Sequence, residues 1–197
     1  MRYNFSMTYL ITALYAEAKP LLEHWSFKRD KSLPCRLYRN DEMCLLVTQM
    51  GMENATKSVQ ALMQYLPPQK NDILINIGLC AAPGTYPVGR ALQVNNLHYE
   101  DAILELPIQK INIPTISLRT VTSPASTLQD NAVDMEAYAI YKAAKSHFSL
   151  SHIAFLKIVS DHFEPEKVDK ERAIISIKEN IPKLEEVIES ILGVTYE

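Results

Sequence analysis

Apolar runs of strand length alternate with helical patterns along almost the whole chain, and few folds accommodate that alternation. The runs fall at Thr8–Leu14, Cys35–Arg39, Cys44–Gln49, Ile73–Ile77, Ala91–His98, Ile116–Val121 and Ile153–Val159. Most are short and rich in β-branched and aliphatic residues, the pattern of buried strands. Between them, apolar residues spaced three and four apart predict helices over Glu17–Trp25, Asn54–Tyr65, Met135–His147 and Lys167–Leu192, the last divided or kinked at Pro182. Arg39–Asp41 supplies turn chemistry for a hairpin between the second and third strands. Mixed strands and helices in this order argue for a three-layer α/β fold with a central mixed sheet. No repeat, low-complexity tract or linker interrupts it, so residues 1–197 are expected to form a single domain. The Pro/Gly cluster Ala81–Gly89 reads as a loop inside that domain.

In open α/β sheets ligands sit beyond the carboxyl ends of the strands. The residues to inspect are therefore Glu17, Gly51, Gly78–Ala82, Tyr99–Asp101, Thr122–Ser126 and Ser160–His162. Composition narrows the partners. A net charge of -3 with no long basic run predicts no nucleic-acid and no membrane-surface partner. Three cysteines without metal-ligand spacing suit a reduced, cytoplasmic setting. The early run Met7–Ala16 meets Glu17 and Lys19 too soon for a spanning helix and is read as a buried first strand.

Three acids then stand out. Glu17 follows the first strand, Asp161 follows the run Ile153–Val159, and Glu136 falls on the apolar stripe of its helix with Ala139, Ile140, Ala143 and Ala144. Each has a structural alternative: a first-turn acid for Glu17, a turn or helix cap for Asp161, and a buried ion pair for Glu136. Convergent carboxylates at strand ends also suit cleavage of a glycosidic bond, with an acid for the leaving group and an anion near the attacking water. No His has a ligand-like spacing from these acids, so neither a metal nor another cofactor is expected.

Several segments together resemble the nucleoside phosphorylase/nucleosidase family of the purine-phosphorylase type, which includes methylthioadenosine/S-adenosylhomocysteine nucleosidase. ALYAEAKPLL, QMGMENATKSVQAL and ILINIGLCAAPGTYPVGRALQVNNLHYED are similar to its first strand–acid–helix segment, glycine turn and central glycine loop. AVDMEAYAIYKAA and FLKIVSD match its most specific motifs. The resemblance implies a nucleoside phosphorylase-like fold, a small-molecule nucleoside as partner and a homodimer. It implies that Asp161 protonates or hydrogen-bonds N7 of the leaving purine with Ser160 orienting it, and that Glu17 positions water. Glu136 would accept the ribose hydroxyls, with Met135 under the sugar and Gly78, Leu79 and Cys80 lining the pocket.

Departures from the pattern shape the functional expectation. Leu79 stands where a phosphate-holding hydroxyl is common, and no Arg flanks Glu17 or Gly78, which favours hydrolysis over phosphorolysis. Ala81 and Ala82 replace glycines, GMENA at Gly51 lacks the second glycine of the G-x-G turn, and Arg90 replaces an acid. The segment between Asp101 and Met135 is short, leaving Thr122, Ser123 and Ser126 as candidate base contacts. The expected activity is a purine nucleosidase acting on a purine or 5′-modified nucleoside. A phosphate-dependent phosphorylase and a noncatalytic nucleoside binder are the alternatives.

Overall fold

The computed structural model describes residues 6–193. Strand β1 (Thr8–Thr12) is buried along its whole length because it lies between two parallel neighbours and is covered on both faces. Those neighbours are β4 (Met43–Val47) and β5 (Ile73–Ala81). Asn40 makes the hairpin between β3 (Arg36–Arg39) and β4: its side-chain oxygen accepts from the amides of Glu42 and Met43. The charged β2 (Lys28–Asp30) pairs only with β3 and forms the sheet's edge.

The other half of the sheet holds β6 (Ala91–Tyr99), β7 (Ala102–Glu105), β8 (Thr115–Thr120), β9 (Ala132–Asp134) and β10 (Ile153–Asp161). The order is β10-β6-β8-β9-β5-β1-β4-β3-β2, with β7 added to β6. Because β10 also pairs with β5, strands β5, β9, β8, β6 and β10 close into a ring. β5 runs parallel to β10 on one edge, while its other edge pairs with β1 over Ile73–Asn76 and with β9 only at Ala81. That change of partner leaves a gap opposite Ile77–Cys80, the kind of switch point at which α/β sheets bind ligands.

Helices α2 (Met52–Tyr65) and α3 (Ala137–Ala144) cover one face, and α1 (Tyr15–His24), α4 (Lys170–Glu179) and α5 (Ile181–Leu192) the other. Ala55, Val59, Leu62 and Met63 form the buried stripe of α2 at helical spacing. The three-layer α/β architecture with a mixed sheet is as expected. Among the described residues, no helix is long and apolar enough to cross a membrane.

Several boundaries differ, each for a local reason. β5 and β10 run further than Ile77 and Val159 because they keep pairing to Ala81 and Asp161. The expected helix Met135–His147 is shorter: α3 begins at Ala137, and Glu136 is the residue before its first turn. Lys167–Leu192 is two helices that meet at Asn180 rather than Pro182. The proline lies in the first turn of α5, where its missing N–H costs no helical bond. Strands β2, β7 and β9 were not anticipated; they are only three or four residues long.

Candidate active site

Glu17, Glu136 and Asp161 line one cavity of about 360 Å³. Their exposures are only 3%, 7% and 7%, so each carboxyl must find partners. Glu17 lies in the first turn of α1 and fills the gap where β1 leaves β5. Its Oε2 accepts from the amides of Ala13 and Leu14 at 2.9 and 2.8 Å, and its Oε1 from Leu79 N at 2.9 Å. It is therefore both the first-turn acid of the structural alternative and a wall of the cavity. Burial pushes Glu17 above the usual carboxylate range, against the three amides and Lys157. Gly78 does not line the cavity; it makes room for this carboxylate, since a Cβ there would lie 3.1 Å from Glu17 Oε1.

Asp161 ends β10. Its Oδ1 accepts from Glu164 N at 2.8 Å, which caps the following turn, and its Oδ2 lies 2.6 Å from Ser160 Oγ. Ser160 Oγ is also 3.1 Å from Cys80 O. One hydroxyl proton cannot serve both acceptors at once. With Asp161 ionised the serine donates to it; with Asp161 protonated the acid donates to Ser160, which donates on to Cys80 O. The arrangement accommodates either state. Cys80 lines the same cavity, and burial pushes its thiol up to about 12.

Glu136 Oε1 accepts from Gly51 N at 2.7 Å, across the cavity mouth from α2. Gly51 has φ +93°, a left-handed value that suits glycine. Burial first, then the adjacent Asp134 charge, pushes Glu136 up to about 7, while Gly51 N and Lys157 act against the shift. The sequence reading missed this Lys157–Asp134 pair. Lys157 Nζ is 2.9 Å from Asp134 Oδ2, and both side chains are almost fully buried. Burial works to discharge Lys157, but Asp134 above all, with Glu136 and Glu17, holds its proton on. A lysine inside the apolar run IAFLKIVSD was the available signal, because a fully buried Lys needs an anion. The cation that an ion pair for Glu136 required is thus bonded to Asp134 instead.

Met135, Leu79 and Ser160 line the cavity as expected. Thr122 and Ser123 do not: Thr122 faces a neighbouring recess beside Met50 and Tyr99, and Ser123 is exposed. The shortened segment lines the cavity through Val121, Pro124 and Ala125 instead, so this end is apolar. Arg90 opens onto a separate recess with Lys183, and no Arg or Lys is among the cavity-lining residues. No three His, Cys, Asp or Glu side chains among the described residues converge as a metal site.

No family model and no curated protein matches the sequence. Solved structures do match the fold. The 5′-methylthioadenosine nucleosidase of Arabidopsis thaliana, in apo form, superposes with a TM-score of 0.81 over 98% of each chain at 20% identity. The chain has the nucleosidase fold. This fold also includes the Streptococcus pneumoniae 5′-methylthioadenosine/S-adenosylhomocysteine nucleosidase with a transition-state inhibitor (TM-score 0.75, 19% identity, 94% of this chain and 98% of that one). The futalosine hydrolase of Helicobacter pylori has it too (TM-score 0.76, 12% identity, 94% and 98%). Within the nucleosidase fold, the acid-lined cavity lies at the switch point of β5.

Proposed function

We propose that the protein is a purine nucleosidase, hydrolysing the N-glycosidic bond of a purine nucleoside or a 5′-modified relative. The observation that carries this reading is one cavity lined by four buried carboxyls, Glu17, Asp134, Glu136 and Asp161, and by no Arg or Lys. Asp161 hydrogen-bonds and gives its proton to N7 of the departing purine, with Ser160 orienting the carboxyl. Glu136 accepts from the ribose hydroxyls while Met135 packs beneath the sugar. Glu17 Oε1, which accepts only from Leu79 N, keeps a lone pair to orient the attacking water. Phosphate in that place would meet carboxylates without a cation to hold it. Nucleosidases and a futalosine hydrolase among the structures of this fold support the assignment.

A panel of purine nucleosides assayed for free base with and without phosphate tests the function. Release of base and free ribose without phosphate is expected. Strict dependence on phosphate, with ribose 1-phosphate as product, would replace the reading by a phosphorylase; binding without release would make the protein a nucleoside-binding homologue.

Gly78 gives a finer test. In Gly78→Ala the new methyl pushes against Oε1 of the Glu17 carboxyl, a group that three backbone amides hold in place, one at Oε1 and two at Oε2. Turnover is expected to fall by roughly ten- to a hundredfold, as for small misplacements of a reacting group, with the midpoint of urea unfolding changed little. Unchanged turnover would remove Glu17 from the water-positioning role.

The working form is a cytoplasmic homodimer in this reading. Leu14 and Met50 line the cavity yet stay partly exposed, and Tyr15 beside them is 40% exposed, so the cavity mouth offers apolar surface for a second subunit to cover. Light scattering at micromolar concentration should return twice the chain mass; a monomer contradicts the dimer.

A further inference from the structure

Glu136 occupies the position from which a side chain ordinarily caps its helix, yet its carboxylate does not cap α3. It reaches Gly51 N and faces the cavity. The amides at the start of α3 are served from elsewhere. Asp134 Oδ2 accepts from Ala137 N at 2.8 Å, and Thr120 Oγ1 accepts from Tyr138 N at 3.0 Å. The Thr120 hydroxyl donates to Asp134 Oδ1 at 2.8 Å. Thr120 and Asp134 are register partners on the parallel strands β8 and β9, so their side chains stand side by side at the same level. Lys157 donates to the same Asp134 Oδ2 at 2.9 Å and neutralises the carboxylate, all three groups being buried.

We propose that Thr120 and Asp134 are positioning residues for Glu136, capping α3 in its place so that its carboxylate is free for the ribose hydroxyls. The proposal rests on the nucleosidase reading. Its physical basis is competition for one acceptor. Leaving the amides of Ala137 and Tyr138 unserved would be costly, and Glu136, as the N-cap residue, is the one whose side chain ordinarily turns back to them. A threonine–aspartate pair locked between two strands removes that competition. Lys157 belongs to the same arrangement, because an unneutralised Asp134 beside Glu136 would place two bare carboxylates in one buried space. The charged groups facing Glu136 are Asp134 from β9, Lys157 from β10 and Glu17 from α1.

The test is the preference for a ribonucleoside over its 2′-deoxy counterpart, measured as a ratio of kcat/KM. That ratio reads the Glu136 contact to the sugar and is insensitive to a general loss of stability or of active protein. Thr120→Val keeps the shape but removes the hydroxyl. The ratio is expected to fall by about tenfold or more, the worth of one hydrogen bond to a charged group, and to recover in Thr120→Ser. If Thr120→Val does not fold, Thr120→Ala, which also removes the hydroxyl that serves Tyr138 N, carries the same expectation. A folded variant with lower kcat/KM on both substrates but the wild-type ratio would overturn the proposal, leaving these residues purely structural. Wild-type protein that releases no base from any nucleoside would instead overturn the nucleosidase reading itself, and this role with it.

Discussion

Asp161→Asn is expected to lower kcat by about two to four orders of magnitude, the range for losing a positioned proton donor. Nucleoside affinity should change far less, because the asparagine amide still donates to a ring nitrogen. The local structure should also survive: the Asn side-chain oxygen can accept from Glu164 N as Asp161 Oδ1 does, so the turn after β10 keeps its cap. What is lost is the transferable proton. The loss should therefore shrink for a nucleoside whose base leaves without protonation. Comparing kcat for a natural nucleoside and an activated one, in wild type and variant, separates the two effects. An equal loss on both substrates means that Asp161 acts by shaping the pocket and not as the acid.

The second large effect belongs to Glu136. In Glu136→Gln, ribonucleoside affinity is expected to fall by roughly ten- to a hundredfold, because a carboxylate that accepts hydroxyl bonds is replaced by a neutral amide. The pH dependence has two signs. Glu136 titrates near 7 in the folded protein against an ordinary 4.5, so between those values the folded state binds more protons than the unfolded chain. Stability therefore falls as pH rises from 4.5 through about 7, by an amount on the order of 3 kcal/mol at most. The variant lacks this titration. It should be the more stable protein at pH 8 in urea unfolding, and the advantage should vanish near pH 4. Affinity for the nucleoside runs the other way, rising through pH 7 as the accepting carboxylate forms. Lys157 does not upset this expectation, because its hydrogen-bonded partner is Asp134 and stays in place. Affinity that is flat from pH 5.5 to 8.5, or a variant several kcal/mol less stable than wild type at pH 8, would make Glu136 a structural group.

Both expectations use acids that were legible in the sequence, but only as strand-end or misfit carboxylates. Glu17 and Asp161 were found because they follow apolar runs whose period and length identify buried strands. Glu136 was found because it broke an apolar stripe, although the helix proved to start one residue later. Thr122 and Ser123 failed as base contacts because hydroxyls in a loop carry no information about where the loop points. Lys157 and Asp134 were passed over because each looked ordinary in its own segment. One sat inside an apolar run and the other in a short strand without apolar alternation.

Local chemistry alone determined the alternating elements, the mixed α/β class, the β3–β4 hairpin and the placing of the three acids at strand ends or on an apolar stripe. These follow from apolar spacing and turn residues, which act over a few residues of chain. Tertiary structure decided the rest. The exchange of β1 for β9 along one edge of β5 opens the gap that Glu17 fills, and no short stretch of sequence encodes which strand pairs with which. The pairing of β8 with β9 sets Thr120 beside Asp134, and the approach of β10 brings Lys157 to them. A buried carboxylate becomes a candidate catalytic group or a structural one according to which amides and cations the fold brings within hydrogen-bonding reach, and those come from distant parts of the chain.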